Sequence, residues 1–241
     1  SNTMNIEVNN LCFSYKKAKS VLDGISCTFS SGINIVLGSN GAGKSTLMKL
    51  LATELKPQSG VITYDGKTAE RKNRPAIMSR LGWVPQHNAV DTSQTVRDLV
   101  QTAAWLHGYS RSEARSAASE AIALVHLSDI EGDRFSSLSG GMQRRAMVAV
   151  GIAHRPDVLI LDEPTSGLDP NHRASLLSII RRLSDRTSVI MSTHISSDIE
   201  PTDRVLFLDS GHIVADVLSE KIERKYGSID AAFGQLTAGV V

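Results

Sequence analysis

One glycine-rich stretch, GSNGAGKST at residues 38–46, constrains the fold of this chain more than any other. It follows INIVLG, a short apolar run with β-branched residues that predicts a buried strand. It leads into STLMKLLATEL, whose composition favours a helix. Glycines in such a turn let successive backbone N–H groups face one anion, and the helix N-terminus adds roughly half a positive charge. The stretch therefore predicts an α/β core with an anion-binding loop at the end of a strand.

The spacing within this loop satisfies G-x-x-x-x-G-K-[ST], which predicts that the anion is the phosphate chain of a nucleoside triphosphate. Lys44 would reach the outer phosphates, and the Ser45 hydroxyl would bind Mg²⁺. A glycine turn that only reverses the chain is the alternative, and the flanking strand and helix argue against it. The predicted nucleotide-binding residues are Gly38, Ser39, Asn40, Gly41, Ala42, Gly43, Lys44, Ser45 and Thr46.

Two carboxylates end a second apolar run, VLILDE at residues 158–163. A buried parallel strand that ends in this way places its acids at the carboxyl edge of the sheet, where ligands bind in open α/β folds. We expect Asp162 to orient Mg²⁺ and Glu163 to polarise the water that attacks the γ-phosphate. An acidic pair after a strand is by itself more typical of a helix start or a solvated strand end. The phosphate loop earlier in the chain favours the catalytic interpretation.

His194 and Gln86 are weaker candidates at the ends of two further predicted strands. His194 follows SVIMST, and a contact with the γ-phosphate is expected. Gln86 lies in WVPQH and could contact Mg²⁺ or its water. A lone histidine at a strand end is usually structural or solvated, and a glutamine after proline is weak evidence. Both assignments therefore depend on the other motifs.

A second glycine turn, LSGGMQRRA at residues 138–146, also runs into a predicted helix. Ser139, Gly140 and Gly141 offer a hydroxyl, backbone N–H groups and a helix N-terminus, which together suit an anion. The turn lacks the lysine and the metal-binding hydroxyl of the first loop. It is therefore not expected to hold a nucleoside triphosphate alone.

The order of predicted elements indicates one domain with an insertion. The β-type segments are residues 5–15, 24–30, 33–38, 61–66, 158–162, 188–193 and 204–217. Residues 95–125 are rich in Ala, Leu, Glu and Arg and predict two helices, with Ser110 or Ser112 as the N-cap of the second. We expect a single domain over residues 1–241, a helical subdomain at about 87–152 and a tail at 218–241.

Composition excludes several classes of function. The formal net charge is only +1, which gives no support for binding to nucleic acid. The longest apolar run, AMVAVGIA, is far shorter than the roughly 20 residues of a membrane-spanning helix. The first residues lack the pattern of a signal peptide, and two cysteines, Cys12 and Cys27, imply no disulfide framework. These features predict a cytoplasmic protein.

Five motifs occur in the order GSNGAGKST, WVPQ, LSGGMQRR, VLILDEPTSGLDP and STH. In this order and spacing the chain resembles the nucleotide-binding subunit of an ATP-binding cassette (ABC) transporter, over roughly residues 6–217. The resemblance implies a phosphate-loop NTPase core, in which helices flank a mostly parallel sheet. It also implies an antiparallel β subdomain and the inserted all-helical subdomain. It identifies the nucleotide as ATP.

The resemblance also implies why there are two glycine turns. Two such subunits pack head to tail, and each ATP lies between the phosphate loop of one and the LSGG turn of the other. Ser139, Gly140 and Gly141 would then serve the γ-phosphate held by a second copy of the chain. Where the family signature commonly continues LSGGQ, this chain has Met142. Any contact made by that fifth side chain is therefore in question.

Four further residues match family positions. Tyr15 resembles the aromatic residue that stacks on adenine, although a core tyrosine is an equally reasonable interpretation. Asp169 matches the residue that links the two sites across the dimer. His194 matches the family's switch histidine, and Gln86 matches the lever to the membrane subunit.

The function implied is an ATPase subunit, peripheral on the cytoplasmic face of a membrane, that drives a separate integral permease. The closing stretch GSIDAAFGQLTAG loosely resembles the tail of export-type members and favours export. A soluble ABC ATPase acting on DNA or ribosomes is the alternative. A homodimer is expected, and a dimer with a related subunit stays open. A GTPase is not favoured, because the base-reading N-K-x-D motif is missing from the sequence.

Overall fold

The computed structural model describes residues 3–16, 20–88 and 90–238. Its strands lie close to the predicted segments, although β2 begins at Ser20, earlier than predicted. The strands within these residues are β1 (Ile6–Ser14), β2 (Ser20–Phe29), β3 (Ile33–Leu37), β4 (Ser59–Tyr64), β5 (Lys67–Thr68), β6 (Leu81–Val84), β7 (Val158–Leu161), β8 (Ser188–Thr193), β9 (Arg204–Asp209) and β10 (His212–Leu218). The α-helices there are α1 (Lys44–Leu51), α2 (Arg74–Met78), α3 (Val96–Leu106), α4 (Arg111–Leu124), α5 (Gly140–Ile152), α6 (Pro170–Leu183), α7 (Ser219–Tyr226) and α8 (Ile229–Ala238).

A six-stranded sheet forms the centre of the fold, in the order β10-β9-β3-β8-β7-β6. The strands from β9 to β6 run parallel, and β10 pairs antiparallel with β9. Helices join the parallel strands, as crossover connections require. The carboxyl ends of β3, β6, β7 and β8 therefore meet at one edge, directly before the loop and the acids singled out in the sequence.

A second, antiparallel sheet has the order β2-β1-β4-β5. Its last hairpin turns at Asp65 and Gly66, whose φ angles of 48° and 81° suit a two-residue turn with both central residues left-handed. The Asp-Gly pair thus closes the β4–β5 hairpin. Together, the mostly parallel sheet, the antiparallel sheet and the helices confirm the predicted fold class.

Apolar side chains pack on both faces of the six-stranded sheet. Along β7, Leu159 and Leu161 belong to one core cluster, while Val158 and Ile160 belong to the other. This alternation follows from the two-residue period of a strand. Helices α3 to α6 cover the face that carries Leu159 and Leu161. Helix α1 and the antiparallel sheet cover the face that carries Val158 and Ile160.

The predicted helical region contains α3, α4 and α5. Ser110, rather than Ser112, caps α4, and Glu113 completes a capping box with it. Val100 of α3 and Ala118 of α4 belong to the same apolar cluster as Leu159 of β7. The helices therefore share a continuous core with the sheet, and a separate helical subdomain at 87–152 stays a prediction.

The predicted tail, residues 218–241, consists of α7 and α8 in its described part and packs on the core. Ile222 and Ile229 are buried there, and the ring of Phe233 stacks on Phe207 with centroids 5.9 Å apart. Residues 239–241 lie outside the described ranges. Within those ranges, none of the helices combines the length and the apolar character that crossing a bilayer demands. Cys12 and Cys27 are free thiols.

His154 is a buried histidine just after α5, with 5% of its surface exposed. Its Nε2 lies 2.7 Å from the carbonyl oxygen of Leu81, and its ring stacks on His107 at a centroid distance of 3.6 Å. Burial and, second, the charge of His107 lower the pKa of His154 to about 4, against the opposing effect of the hydrogen bond to Leu81. The folded protein therefore holds this side chain in its neutral form.

This pKa predicts a loss of stability in mild acid. Between the ordinary value of 6.5 and about 4, the unfolded chain binds a proton on His154 that the folded chain does not. The free energy of unfolding should thus fall as the pH drops through this window, by about 3 kcal/mol in all. His154→Gln, whose amide can still donate to Leu81, should flatten the dependence. Urea unfolding of the wild type and of the variant at several pH values measures how the free energy of unfolding of each depends on pH. Equal dependences would refute the assignment of this effect to His154.

Candidate active site

The phosphate loop connects β3 to α1, as the sequence predicts. Gly43, just before α1, has a φ angle of 104°, in the region that favours glycine. A Cβ atom there would lie 2.8 Å from a methyl carbon of Leu22. The chain can therefore enter α1 at this angle only with glycine, which places the first N–H groups of the helix at the carboxyl edge of the sheet.

Lys44 lies inside the loop with only 4% of its surface exposed. Its ammonium donates to the carbonyl oxygens of Gly38 and Ser39, the latter at 3.2 Å. It also forms an ion pair with Oε1 of Glu163 at 2.9 Å. The predicted phosphate-binding cation and the predicted catalytic carboxylate are thus in direct contact, and each compensates the buried charge of the other.

The Asp162 carboxylate accepts hydrogen bonds from two hydroxyl groups. The Ser45 hydroxyl donates to its Oδ2 at 2.7 Å, and the Ser192 hydroxyl donates to its Oδ1 at 2.7 Å. Ser192 lies near the end of β8 and was not identified in the sequence. The available signal was its position in STH, two residues before His194 on a strand adjacent to β7.

Glu163 is 4% exposed and lies between Lys44 and His194. The Nδ1 atom of His194 is 2.9 Å from its Oε2. The φ angle of Glu163 is 47°, which is uncommon for a residue with a side chain, and its N–H donates to Ser192 at 2.9 Å. This uncommon backbone conformation places the buried carboxylate against Lys44 of the phosphate loop and against His194.

Ser45 and Asp162 have the chemistry of a Mg²⁺ site. Magnesium prefers oxygen ligands and commonly uses one or two carboxylates together with substrate phosphates and water. Within the described residues there is no group of three or more His, Cys, Asp or Glu side chains arranged to hold a metal. The Ser45 hydroxyl and the Asp162 carboxylate, 2.7 Å apart, fit a Mg²⁺ ion.

Gln86 follows β6 at the same edge of the sheet as Asp162. The Asp162 N–H donates to Val84 at 3.0 Å, and the Gln86 carbonyl accepts from Nη1 of Arg144 at 2.6 Å. Burial lowers the pKa of Arg144, while the charge of Asp162 raises it. Arg144, which sequence reasoning missed, therefore ties helix α5 to this edge. A metal or lever role for Gln86 stays a prediction.

Tyr15 lies beside the phosphate loop, with 43% of its surface exposed. Its hydroxyl is 3.1 Å from Oγ1 of Thr46, and its ring packs edge-on against Phe13. The alternative interpretation as a core tyrosine is therefore wrong. The accessible ring is compatible with the predicted stacking on adenine, which stays a prediction.

The LSGG turn opens helix α5, and the hydrogen bond of its serine side chain stays within the turn. Ser139 is the N-cap of α5, and its hydroxyl accepts from the N–H of Met142 at 3.3 Å. Ser139 and Gly140 are exposed. A Cβ atom on Gly140 would meet nothing within 4 Å, whereas one on Gly141 would lie 2.1 Å from Nδ1 of His172. Only Gly141 is thus required by the packing of this chain itself.

Asp169 lies close to the same turn. It caps α6, accepting from the N–H of His172 at 2.9 Å, and its side chain is exposed. His172 in turn covers Gly141. The predicted dimer-linking residue and the signature turn are therefore joined through one histidine, a contact that the sequence did not indicate.

The two residues after the signature glycines are engaged within the chain. Met142 packs against the apolar cluster that includes Leu159 of β7. The side-chain amide of Gln143 donates to the carbonyl oxygen of Phe135 at 3.1 Å. The Gln143 side chain is thus engaged within the chain itself.

Helix α8 borders the phosphate loop, which the sequence did not predict. Asp230 and Phe233 line an open cavity of about 280 Å³. The same cavity is lined by Gly38, Ser39, Asn40 and His194. The last helix of the described chain therefore contributes side chains next to the predicted nucleotide-binding residues.

A family model described as ABC transporter matches residues 22–166, which include the phosphate loop, the LSGG turn and the Asp162–Glu163 pair. The chain belongs to the ABC transporter family. The predicted family and its ATP-binding, ATP-hydrolysing activity are thereby confirmed. The assignments of individual site residues remain predictions.

Named relatives and a solved structure agree with this membership. The daunorubicin resistance ATP-binding protein DrrA3 of Streptomyces coeruleorubidus is 34% identical over 230 residues, spanning 92% of this chain and 72% of that protein. The Nod factor export ATP-binding protein I of Rhizobium meliloti is 35% identical over 228 residues, spanning 91% of this chain and 68% of that protein. The structure of CbiO1 from Clostridium perfringens, part of the ABC transporter complex CbiONQ, superposes with a TM-score of 0.80 at 27% identity, covering 97% of this chain and 98% of that chain.

Proposed function

We propose that this ABC ATPase drives transport through a separate membrane-spanning subunit, from the cytoplasmic face of the membrane. The relatives support this role, because CbiO1 is described as one part of a transporter complex. The direction we propose is export. Two relatives are named for drug resistance and for the export of Nod factor. The alternative, action on DNA or ribosomes, finds no support in these names.

The single observation that carries the mechanism is that the two half-sites lie on different elements of the fold. Lys44, Asp162 and Glu163 gather at one edge of the sheet, while Ser139 and Gly140 are exposed at the start of α5. Among the described residues, the Ser139 hydroxyl accepts its hydrogen bond from the N–H of Met142, within its own turn. A second copy of the chain, placed head to tail, would supply this turn to the γ-phosphate.

Each residue of the loop-side half-site then has a role. Lys44 would exchange its partner Glu163 for the phosphates, and the loop N–H groups would hold the anion. Ser45 and Asp162 would hold Mg²⁺, which neutralises charge on the phosphates. Tyr15 would stack on adenine.

Hydrolysis would begin once Lys44 has moved to the phosphates and freed Glu163. The carboxylate would accept a proton from the attacking water, and His194 would fix the orientation of Glu163 through the 2.9 Å contact. Gln86, whose carbonyl is hydrogen-bonded to Arg144 of α5, would transmit the conformational change to the permease. Asp169 would link the two sites of the dimer. ATP binding thus closes the dimer, and hydrolysis opens it.

The mass of the protein in solution tests this proposal. The Glu163→Gln variant, which should bind ATP but hydrolyse it slowly, is expected to double in mass by light scattering when ATP and Mg²⁺ are added. ADP should leave it as a monomer, since the partner turn needs a γ-phosphate to contact. A variant that also carries Gly140→Asp should stay monomeric with ATP. If ATP leaves the Glu163→Gln chain monomeric at every concentration, the shared site is refuted.

A further inference from the structure

We propose a second ligand site in an open cavity of about 340 Å³, where the chain would bind a small carboxylate with an apolar body. The cavity lies between the end of α1, the β4–β5 hairpin and the segment around residues 69–74. None of the described residues that line it belongs to the phosphate loop, the LSGG turn or the acids of β7. It is therefore distinct from the ATP site, and the proposal does not rest on the transport function.

The floor of this cavity is apolar. Leu50, Ile62 and Tyr64 line it and are buried. The hydroxyl of Tyr64 donates to the carbonyl oxygen of Leu51 at 2.6 Å. The polar atom of this side chain is therefore already hydrogen-bonded to the end of α1. A volume of about 340 Å³ is at the lower end of ligand pockets, so the occupant should be small.

Thr53 supplies an unusual polar group to the lining. It is 8% exposed, and its hydroxyl oxygen is buried without a hydrogen-bond partner among the described residues. Its φ angle of 66° is rare for a β-branched residue, and Arg74 holds its carbonyl at 3.2 Å. The left-handed φ is that of the residue just after the C-cap of α1, and a buried hydroxyl without a partner is costly. Thr53 therefore places a buried hydroxyl, unpaired within the described ranges, beside the cavity.

Positive charge dominates the rim. Lys56, Arg71 and Arg74 line the cavity, against the single carboxylate of Glu70. Within the described part of the chain none of these three cations forms an ion pair, and Glu70 accepts instead from the Thr68 hydroxyl at 2.8 Å. The surplus attracts an anionic group to the rim while the apolar body covers the floor. A carboxylate on a short chain or ring combines both features.

Titration of octanoate into the chain, with the ATP site filled by ADP and Mg²⁺, tests this site by calorimetry. Arg71→Glu is expected to weaken octanoate binding about tenfold, because it reverses one of the rim charges. Ala69→Phe, which fills part of the cavity, should abolish binding. Arg115→Glu, a charge reversal of an exposed arginine on α4, is the matched control and should bind as the wild type does.

Two further probes separate the charge from the apolar body. Octanol, which has the same chain without the charge, should bind at least about tenfold more weakly than octanoate. Inorganic phosphate, which has charge but no apolar body, should not displace octanoate. Lack of saturable octanoate binding, unchanged affinity in both Arg71→Glu and Ala69→Phe, equal affinity for octanol, or displacement by phosphate would each overturn the proposal.

Discussion

Replacement of Glu163 by glutamine is expected to lower the rate of ATP hydrolysis by about two to four orders of magnitude. The structure provides the reason, because Glu163 is buried and its two oxygens face Lys44 and His194 at 2.9 Å each. Glutamine has the same shape and can still accept a hydrogen bond from Lys44. It cannot take a proton from water, so only the chemical step should suffer.

Steady-state release of phosphate measures this effect, and equilibrium binding of ATP shows that the nucleotide still binds. The matched control is Glu131→Gln, which removes a carboxylate that pairs with Arg97 at 2.7 Å in the helical region. That variant should hydrolyse ATP at the rate of the wild type. If Glu163→Gln retains more than about a tenth of the wild-type rate, Glu163 is not the general base.

Replacement of Lys44 by methionine is expected to weaken ATP binding by about one to two orders of magnitude. Methionine keeps an apolar stem of similar length and removes only the ammonium group. A charged hydrogen bond to the phosphates is thereby lost. Fluorescence or dialysis measurements of the ATP dissociation constant test this, with Lys49→Met on the same helix as the control.

The ion pair with Glu163 complicates this second prediction. Loss of Lys44 leaves the buried carboxylate of Glu163 without its cation, at a cost of about 3–5 kcal/mol in the free energy of unfolding. The double variant Lys44→Met with Glu163→Gln removes both charges and should recover much of that stability. It should not recover ATP affinity. Full recovery of affinity together with stability would show that Lys44 acts only on the fold.

Much of the fold is predictable because the signals are local. Short apolar runs bounded by turn residues identified the strands, and the Asp65-Gly66 turn and the Ser110 cap follow from two- and four-residue patterns. The order of strands in the sheet is not local, since β3 pairs with β8 and β9 from the other end of the chain. The packing of α8 depends likewise on Phe207 meeting Phe233, which no short pattern indicates.

The candidate site likewise contains residues that a local pattern indicates and residues that only the tertiary fold brings together. The spacing of the phosphate loop identified Lys44 and Ser45, because successive backbone groups must face one anion. Ser192, which bonds both Asp162 and the N–H of Glu163, is unremarkable in sequence and meets them only because β8 lies beside β7. The packing of His172 against Gly141 likewise depends on the tertiary fold and not on a local pattern.

The central claim, that each ATP is held by two chains, is tested most directly by mixing two inactive variants. Lys44→Met lacks the loop cation, and Gly140→Asp places a carboxylate where the partner's γ-phosphate would lie. Gly140 is suitable because a side chain there meets nothing within 4 Å, whereas Gly141 is covered by His172. Each variant alone should hydrolyse ATP slowly, since both sites of its own dimer are defective.

In a mixed dimer, one site combines the intact Lys44 of one chain with the intact LSGG turn of the other. An equimolar mixture is therefore predicted to recover roughly a quarter of the wild-type rate, because half of randomly formed dimers are mixed and each has one intact site of two. Phosphate release from the mixture is the measurement. A rate equal to the mean of the two separate variants would contradict the shared site.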